Sequence, residues 1–332
     1  MILAGDIGGT NARLAFYESE KGKLHQLSEQ IFPSRQFKEF GDIVLQFLKD
    51  SRNRPEFACF GIAGPVREGR VATSNLPWTI DQAQLAEQMH LRSVLLINDL
   101  EATAWGIGAL GPQDLTTLHD VPGTAGNQAV IAPGTGLGEA GLFWDGSAHH
   151  VFACEGGHTD FAPQGELQIE LLQFLSRQFE HVSYERILSG PGLVNVYDFL
   201  RAKQNGSAPH STHGDGPAGD RAAAISQAAL QGTDAVAEQA LDLWISVYGA
   251  ETGNWALKAM ATGGIYLGGG ISPKILGKLT GPAFMKAFLD KGRLRPLVES
   301  IPVKVITNDK AGLLGAARCA DVRGSAVLEG AA

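Results

Sequence analysis

The sequence predicts an α/β protein with two domains. Its 332 residues exceed what one hydrophobic core usually serves, so two domains are expected. Short runs of branched aliphatic residues, typical of buried strands, alternate with segments whose apolar residues recur at helical spacing. Several strands end in glycine clusters, and 42 residues are glycine. Because glycine lets the backbone approach a ligand closely, these turns are candidate binding sites.

Composition and charge exclude several classes of protein. The chain has 27 Lys+Arg against 35 Asp+Glu, a net charge of −8, and no basic cluster, so nucleic acid is not an expected partner. Three widely spaced cysteines, Cys59, Cys154 and Cys319, indicate neither a disulfide framework nor a zinc site. The first residues lack a basic signal-peptide region, and no apolar run could cross a bilayer. We therefore expect a cytoplasmic protein with no membrane partner.

The first element is a predicted β-hairpin. Residues 2–6 form a strand, residues 12–17 return, and the turn presents Gly8, Gly9 and Thr10 beside Asp6. Glycine N–H groups can converge on a phosphate, and an adjacent acid can hold Mg²⁺ directly or through water. An ordinary glycine hairpin is the alternative interpretation.

The next elements prepare a strand-to-helix corner. Residues 36–50 have the spacing of an amphipathic helix, and a capping box at 79–82 predicts a helix that ends at His90. Residues 94–97 are a continuous aliphatic run followed by Asn98 and Asp99, where another helix begins. Ligands of open α/β sheets bind at such corners, so Asp99 is a candidate for chemistry. The alternative is that Asp99 only caps the helix.

A second glycine turn follows the predicted strand at 129–132. Gly136, Gly138 and Gly141 match the G-x-G-x-x-G fingerprint of dinucleotide sites, with Asp160 at the distance of a ribose-binding acid. That fingerprint must open a helix, whereas residues 142–153 alternate like a β-hairpin. The pattern therefore favours a second phosphate-binding hairpin. Its candidate ligands are Gly134, Thr135, Gly136 and Gly138.

Polar residues after this hairpin suggest a sugar site. Glu155 and His158 are separated by two glycines, and they are too few to form a metal site. Carboxylate and imidazole suit adjacent sugar hydroxyls, and Glu185 could reach the same site. Each of the three could instead be an ordinary surface residue.

The chain ends with one more glycine-rich strand end and a helix. Gly268, Gly269 and Gly270 follow a buried strand, where the flat ring of adenine could lie against the backbone. Small residues along the helix that starts near residue 310 predict close packing against another helix.

These motifs together resemble bacterial glucokinases of the hexokinase-like type over residues 2–320. In chain order they are Asp6-x-Gly-Gly-Thr-Asn, Ile97-Asn98-Asp99, Gly134-Thr-Gly-Leu-Gly, Glu155-Gly-Gly-His158-x-Asp-Phe-Ala-Pro, Glu185-Arg-x-Leu-Ser-Gly-Pro-Gly-Leu-Val-Asn and Gly268-Gly-Gly-Ile. The resemblance implies two actin-like ATPase domains of ribonuclease-H-like topology with an interdomain cleft. We expect residues 1–109 with 302–322 in the smaller domain and 110–301 in the larger. The related repressor-and-kinase (ROK) family has a cysteine-rich zinc motif after its histidine, which His158 lacks here.

The resemblance also implies roles for the candidate residues. ATP would lie on Gly8–Thr10 and Gly134–Gly138, with adenine near Gly268–Gly270. Mg²⁺ would bind Asp6 through water, and Asp99 would be the general base for the glucose 6-hydroxyl. The expected glucose-binding residues are Asn98, Asp99, Glu155, His158 and Glu185. A homodimer is expected.

Two alternatives stay open from the sequence. The chain could phosphorylate another hexose, such as mannose or an amino sugar, or it could be a non-catalytic sugar-sensing relative on the same fold. The phosphate donor could also be ADP or polyphosphate.

Overall fold

The computed structural model describes residues 1–49, 51, 53–73, 76–205 and 218–329. The chain divides into two compact units: Met1–Asp114 with the chain end from Asn308, and Leu115–Thr307. Both boundaries lie five or six residues beyond the expected 109/110 and 301/302. The last strand, Val303–Ile306, accounts for the second difference, because it pairs with strands of the second unit rather than the first.

The first unit has a five-stranded sheet with helices packed on it. The strand order is β3-β2-β1-β4-β7, in which β1 is antiparallel to β2 and parallel to β4, and β4 is parallel to β7. Its elements are β1 (Ile2–Ile7), β2 (Asn11–Glu20), β3 (Lys23–Pro33), α1 (Phe40–Lys49), β4 (Phe57–Ile62), β5 (Arg70–Ala72), β6 (Thr79–Asp81), α2 (Gln82–Met89), β7 (Ser93–Asn98), α3 (Asp99–Ile107) and, from the chain end, α11 (Ala311–Glu329).

The second unit has a six-stranded sheet in the order β11-β10-β9-β12-β13-β8. Strand β10 is antiparallel to β9 and β11, while β9, β12 and β13 run parallel to one another. Its elements are β8 (Leu115–His119), β9 (Gln128–Pro133), β10 (Leu137–Trp144), β11 (His149–Cys154), α4 (Gly165–Leu175), α5 (Gly190–Asn205), α6 (Ala218–Gln231), α7 (Ala235–Ala259), β12 (Gly264–Leu267), α8 (Leu276–Leu279), α9 (Pro282–Leu289), α10 (Arg295–Glu299) and β13 (Val303–Ile306).

The two sheets share one plan. Each begins with three strands joined as antiparallel neighbours and then adds two parallel strands beside the first, and β8 is an extra edge strand in the second unit. The glycine turn at residues 8–10 joins β1 to β2, and the glycine turn at residues 134–136 joins β9 to β10, the corresponding pair in the second sheet. The predicted α/β class is confirmed.

Two helix starts differ from the sequence prediction. Helix α1 begins at Phe40 rather than at residue 36, because residues 34–36 form a 3-10 turn. Helix α2 is capped by Asp81, whose Oδ1 accepts hydrogen bonds from the N–H groups of Ala83 and Gln84. The predicted capping box at Thr79 is wrong, because Thr79 pairs with Ala72 in the β5–β6 ladder.

Helix α11 packs on α3 through glycines, which confirms the close packing predicted from its small residues. A Cβ atom at Gly315 would lie 1.7 Å from the carbonyl oxygen of Ala102, and one at Gly106 would lie 2.1 Å from the carbonyl oxygen of Ala311. Helix α11 also contacts β1 and β4, so the end of the chain covers one face of the first sheet. Within the described residues, no helix has the length and apolar character needed to cross a membrane.

Candidate active site

The first glycine turn is a tight hairpin that a buried serine holds. The Gly8 N–H donates to the Asn11 carbonyl at 2.9 Å, and Thr10 is exposed at the tip. Ser34 lies behind the turn with no exposed surface. Its Oγ donates to the Gly8 carbonyl and its N–H to the Thr10 carbonyl, both at 2.9 Å. Ser34 could not be predicted as part of this turn, because nothing in the local sequence pattern indicates a contact 26 residues away.

Asp6 lies at the end of β1 among other carboxylates. Its pKa is raised to about 6, mainly by burial and next by the nearby carboxylates of Asp99 and Asp309, while the charge of Arg13 lowers it. The carboxyl carbon of Asp6 would be 3.6 Å from a Cβ at Gly312, so it faces the first turn of α11. This is a site of negative potential that favours a cation.

Asn98 and Asp99 have different local roles. Asn98 is the N-cap of α3: its Oδ1 accepts from the Leu100 N–H at 2.8 Å, and its Nδ2 donates to the Gly64 carbonyl at 3.1 Å. Asp99 is the first residue of the helix, and its Oδ1 lies 2.9 Å from the same Leu100 N–H. The interpretation of Asp99 as the cap alone is therefore wrong, because the preceding amide occupies that position.

Gly61 allows the helix that carries Asp99 to sit directly on the sheet. In β4, Gly61 pairs with Asp6 on one side and Ile97 on the other. A Cβ at Gly61 would be 2.7 Å from the Ala102 Cβ and 3.8 Å from the Asp99 Cα. This role of Gly61 could not be predicted from the sequence, because Gly61 lies inside β4 rather than in a glycine cluster at a strand end.

The second glycine turn is also a hairpin. The Gly134 N–H donates to the Gly136 carbonyl at 2.8 Å, and the chain continues into β10 as a strand. The predicted absence of a dinucleotide-binding helix is thus confirmed. The Gly190 N–H at the start of α5 donates to the Gly134 carbonyl at 2.9 Å and ties the turn to that helix.

Glu155, His158 and Glu185 lie in a row. His158 Nε2 is 4.0 Å from Glu155 Oε2, and His158 Nδ1 is 3.9 Å from Glu185 Oε1. The side chains of Glu155 and His158 are 64% and 58% exposed, against 27% for Glu185. Two backbone hydrogen bonds join the segments that carry them, from the Phe161 N–H to Val182 and from the Tyr184 N–H to Thr159.

Glu185 also contacts the second glycine turn. Its Oε2 accepts from the Leu137 N–H at 3.0 Å, and a Cβ at Gly136 would be 2.4 Å from the same oxygen. Glycine at 136 is therefore needed for this approach. The row alternates hydrogen-bond acceptors and donors, which suits a ligand with several hydroxyl groups. Because Glu185 also contacts the glycine hairpin, such a ligand would lie close to a phosphate bound at that hairpin.

The three glycines after β12 differ in their surroundings. Gly269 has φ +77°, and a Cβ there would lie 2.4 Å from the Pro133 carbonyl oxygen, so it is required for packing against the end of β9. A Cβ at Gly270 would meet nothing within 4 Å. The open backbone surface for a flat ring is thus at Gly270, while the Gly268 N–H is used by the Ile131 carbonyl.

The residues near Asp6 fit Mg²⁺ held mainly by water and phosphate. In the described part of the chain, no three His, Cys, Asp or Glu side chains gather as a protein-only metal site. Mg²⁺ keeps several waters and commonly takes one or two carboxylates together with substrate phosphates. The oxygen donor of Asp6 and the carboxylates around it match that chemistry.

Known proteins share this architecture over nearly the full chain. Residues 3–323 match a family model described as glucokinase. A glucokinase from a Nostoc species is 42% identical, with 96% of this chain and 98% of that protein aligned. The crystal structure of a glucokinase from an Antarctic psychrotroph has a TM-score of 0.86 at 31% identity and covers 97% of this chain and 98% of that one. A ROK family glucokinase from Streptomyces griseus, solved with glucose and AMPPNP, has a TM-score of 0.65 at 25% identity over 97% and 99% of the two chains.

Proposed function

This chain belongs to the glucokinase family, and from that membership we propose that it transfers the γ-phosphoryl group of ATP to the 6-hydroxyl of glucose. The structural observation that best supports the proposal is Glu185, which contacts His158 of the polar row and the Leu137 N–H of a glycine hairpin. One carboxylate thus links a candidate sugar site to a candidate phosphate site.

Glucose is bound in this proposal by the row of Glu155, His158 and Glu185. Carboxylate oxygens accept hydrogen bonds from sugar hydroxyls, and the imidazole can donate one or accept one. A sugar that lacks a matching hydroxyl leaves one of these groups unpaired, which lowers its affinity. Asn98 adds a hydroxyl contact through the second hydrogen of Nδ2, since its first is used by Gly64.

Asp99 is the proposed general base. It accepts the proton of the 6-hydroxyl as that oxygen attacks the γ-phosphorus, while the first turn of α3 holds the carboxylate in place. Phosphoryl transfer leaves the protein little covalent chemistry, so most of the catalytic effect comes from position and charge.

The two glycine hairpins hold the ATP phosphates in this proposal. Backbone N–H groups at Gly8–Thr10 and Gly134–Gly138, with the hydroxyls of Thr10 and Thr135, donate to phosphate oxygens. Asp6 would hold Mg²⁺, whose charge offsets that of the phosphates. The adenine ring lies against the open backbone at Gly270.

A coupled assay tests the activity. Purified protein is given ATP with glucose, mannose, glucosamine or fructose, and ADP release is followed. The donor panel then uses glucose with ATP, ADP or polyphosphate, and formation of glucose 6-phosphate is measured because it is the product common to all three donors. We expect the highest kcat/KM for glucose with ATP. A higher kcat/KM for another hexose would identify that sugar as the substrate instead of glucose. Sugar binding without phosphoryl transfer would favour the non-catalytic alternative.

We also propose the cytoplasm as the site of action. All three cysteines are free thiols in the structure, which suits a reducing compartment. The expected homodimer stays a prediction, which size-exclusion chromatography with light scattering would check.

A further inference from the structure

A buried carboxyl group lies beneath the candidate sugar site and has no role in the mechanism above. Glu139, in β10, is 2% exposed. Neither of its carboxyl oxygens has a hydrogen-bond partner among the described residues. Buried polar groups are almost always paired, so this exception calls for a physical explanation.

Glu139 directly underlies the turn that carries Glu155 and His158. A Cβ atom at Gly156 would lie 1.9 Å from Glu139 Oε2, so the backbone of the turn rests on the carboxyl group. The Gly156 carbonyl also holds the end of this turn, because it accepts hydrogen bonds from both the N–H and the hydroxyl of Thr159, at 3.0 and 2.7 Å. A change at the Glu139 carboxyl therefore reaches the sugar-binding residues through one glycine.

The groups around Glu139 determine its charge. From α7 it faces Glu251, which is fully buried, and Lys258. From β11 it faces Cys154, its partner in the strand ladder. Further charged or titratable groups nearby are Glu155 in the turn, Tyr248 and Tyr184 beside the buried acids, and Lys291 near Glu251.

The ammonium group of Lys258 forms an ion pair with Glu251. Its Oε1 accepts from Lys258 Nζ at 3.1 Å and its Oε2 from Asn254 Nδ2 at 2.8 Å. Asn254 Nδ2 also lies 3.0 Å from the hydroxyl of Tyr184, the residue before Glu185. Glu139 has no such compensation, and an unpaired buried carboxylate is strongly unfavourable, so its carboxyl group is uncharged at neutral pH.

We propose that Glu139 is a positioning residue of the sugar site: its uncharged carboxyl group supports the Glu155–His158 turn at Gly156, and loss of its proton displaces the turn and weakens glucose binding. The inference rests on the proposed function, in which this turn binds glucose. The displacement follows because a charge at this position is repelled by Glu251 and gains hydration only if the turn moves away.

Burial and the neighbouring charges set the pH at which Glu139 loses its proton. The pKa of Glu139 is raised to about 8, mainly by burial and next by the Glu251 carboxylate, while the charge of Lys258 lowers it. Burial raises the pKa of the Cys154 thiol to about 11, so Cys154 titrates at higher pH. The pKa values of Tyr184 and Tyr248 are raised as well, again by burial. Burial lowers the pKa of Lys291.

The test is the pH profile of glucose KM, kcat and ATP KM between pH 6.5 and 9.5 for wild type, Glu139→Gln and the matched control Cys154→Ser. For wild type we expect glucose KM to rise roughly tenfold from pH 7 to 9, because a group with a pKa of about 8 is then mostly deprotonated. The kcat and ATP KM stay within about twofold. Glu139→Gln, isosteric with the protonated acid, keeps a low and flat glucose KM, and Cys154→Ser follows wild type.

Three results would overturn the inference: a flat wild-type profile, the same rise in Glu139→Gln, or an alkaline change confined to kcat. If Glu139→Gln does not fold, Glu139→Met, also uncharged and of similar length, must give a flat profile. Glucose Kd measured by calorimetry at the same pH values gives the same test without turnover. If the protein binds glucose but has no turnover, the proposed function is contradicted, and the pH dependence of the calorimetric Kd still tests the role of Glu139. If the protein binds no glucose, both proposals are overturned.

Discussion

Glu185 accepts a hydrogen bond from the backbone N–H of Leu137 at 3.0 Å while its other carboxylate oxygen lies 3.9 Å from His158 Nδ1. The same side chain therefore holds the end of a phosphate-type hairpin and one end of the candidate sugar site. Removing the Glu185 side chain should therefore change both sugar affinity and nucleotide affinity, whereas substitutions at neighbouring residues should change only one of them.

Two substitutions at Glu185 separate these contacts. Glu185→Gln keeps an oxygen that can accept from Leu137 but loses the charge next to His158, so we expect a higher glucose KM and a nearly unchanged ATP KM. Glu185→Ala removes both contacts and should raise both KM values, each by about tenfold or more, because hydrogen bonds to charged groups contribute about 1.5–3 kcal/mol. Initial-rate kinetics with each substrate varied measure the effect.

Glu155→Gln is the matched control for Glu185, because Glu155 approaches His158 but not the hairpin. We expect it to raise glucose KM alone. An unchanged ATP KM in Glu185→Ala would contradict the hairpin role of Glu185.

Replacing Asp99 should affect turnover more than binding. In Asp99→Asn the amide oxygen can still face the Leu100 N–H, and the Asn98 cap is untouched, so α3 keeps its start. We expect kcat to fall by about 10²–10⁴-fold, the usual effect of losing a general base. Glucose Kd from calorimetry should change only a few-fold. Near-normal turnover in the folded variant would remove the assignment.

Ser34→Ala tests the support behind the first hairpin. The variant removes the Ser34 hydroxyl from the part-buried Gly8 carbonyl, at a cost of about 0.5–1.5 kcal/mol, and loosens the turn. We expect a several-fold higher ATP KM with an unchanged glucose KM. Thr252→Val is the control, since it also removes a buried hydroxyl that donates to a backbone carbonyl, here that of Tyr248 within α7. An equal rise in both KM values of Ser34→Ala would indicate general destabilisation instead.

Glu139→Gln should change how stability depends on pH. The folded pKa of Glu139 is about 8, above its ordinary value of 4.5, so between these pH values the unfolded chain loses a proton that the folded chain keeps. The free energy of unfolding therefore falls as pH rises through this window and then levels off. The glutamine variant has no such proton, so its stability relative to wild type should increase from pH 5 to pH 9, by on the order of a few kcal/mol. Urea unfolding at both pH values measures this, and a constant difference would contradict the raised pKa.

Gly315→Ala should destabilise the first unit. Its methyl group would meet the Ala102 carbonyl at 1.7 Å, and a backbone atom inside a helix cannot yield easily. We expect a loss of about 1–3 kcal/mol, as in other overpacked sites. Gly277→Ala in α8, where a Cβ meets nothing within 4 Å, should be neutral or slightly stabilising in the same thermal unfolding experiment. Equal melting temperatures for the two variants would argue against close α3–α11 packing.

The sequence predicted those features whose signal is local. The glycine hairpins, the strand that ends at Asn98 and the strand in place of a dinucleotide-binding helix all rest on patterns within fewer than about twenty residues, and the structure agrees with them. The role of Asn98 as the cap was missed, because Asn and Asp are both good caps and only the backbone geometry distinguishes their positions.

Contacts between distant residues could not be predicted in this way. Ser34 reaches Gly8 from the far end of β3, and Glu139 lies under Gly156 because β10 and β11 pair in a particular register. The pairing of β13 with β12 and β8 likewise depends on the folded sheet, so the expected domain boundary near residue 302 was misplaced. No pattern within either partner segment contains this information.

Helix α11 has a consequence for the order in which the chain can fold during synthesis. The second unit is continuous, Leu115–Thr307, so all of its strands leave the ribosome before α11 does. The strands of the first unit are made before the second unit, but the helix that covers β1 and β4 and packs on α3 is missing until residues 311–329 emerge. Of the two units, the one whose strands are made first is thus completed last. A chain truncated shortly after residue 307 would contain a complete second unit and a first unit whose sheet face is exposed.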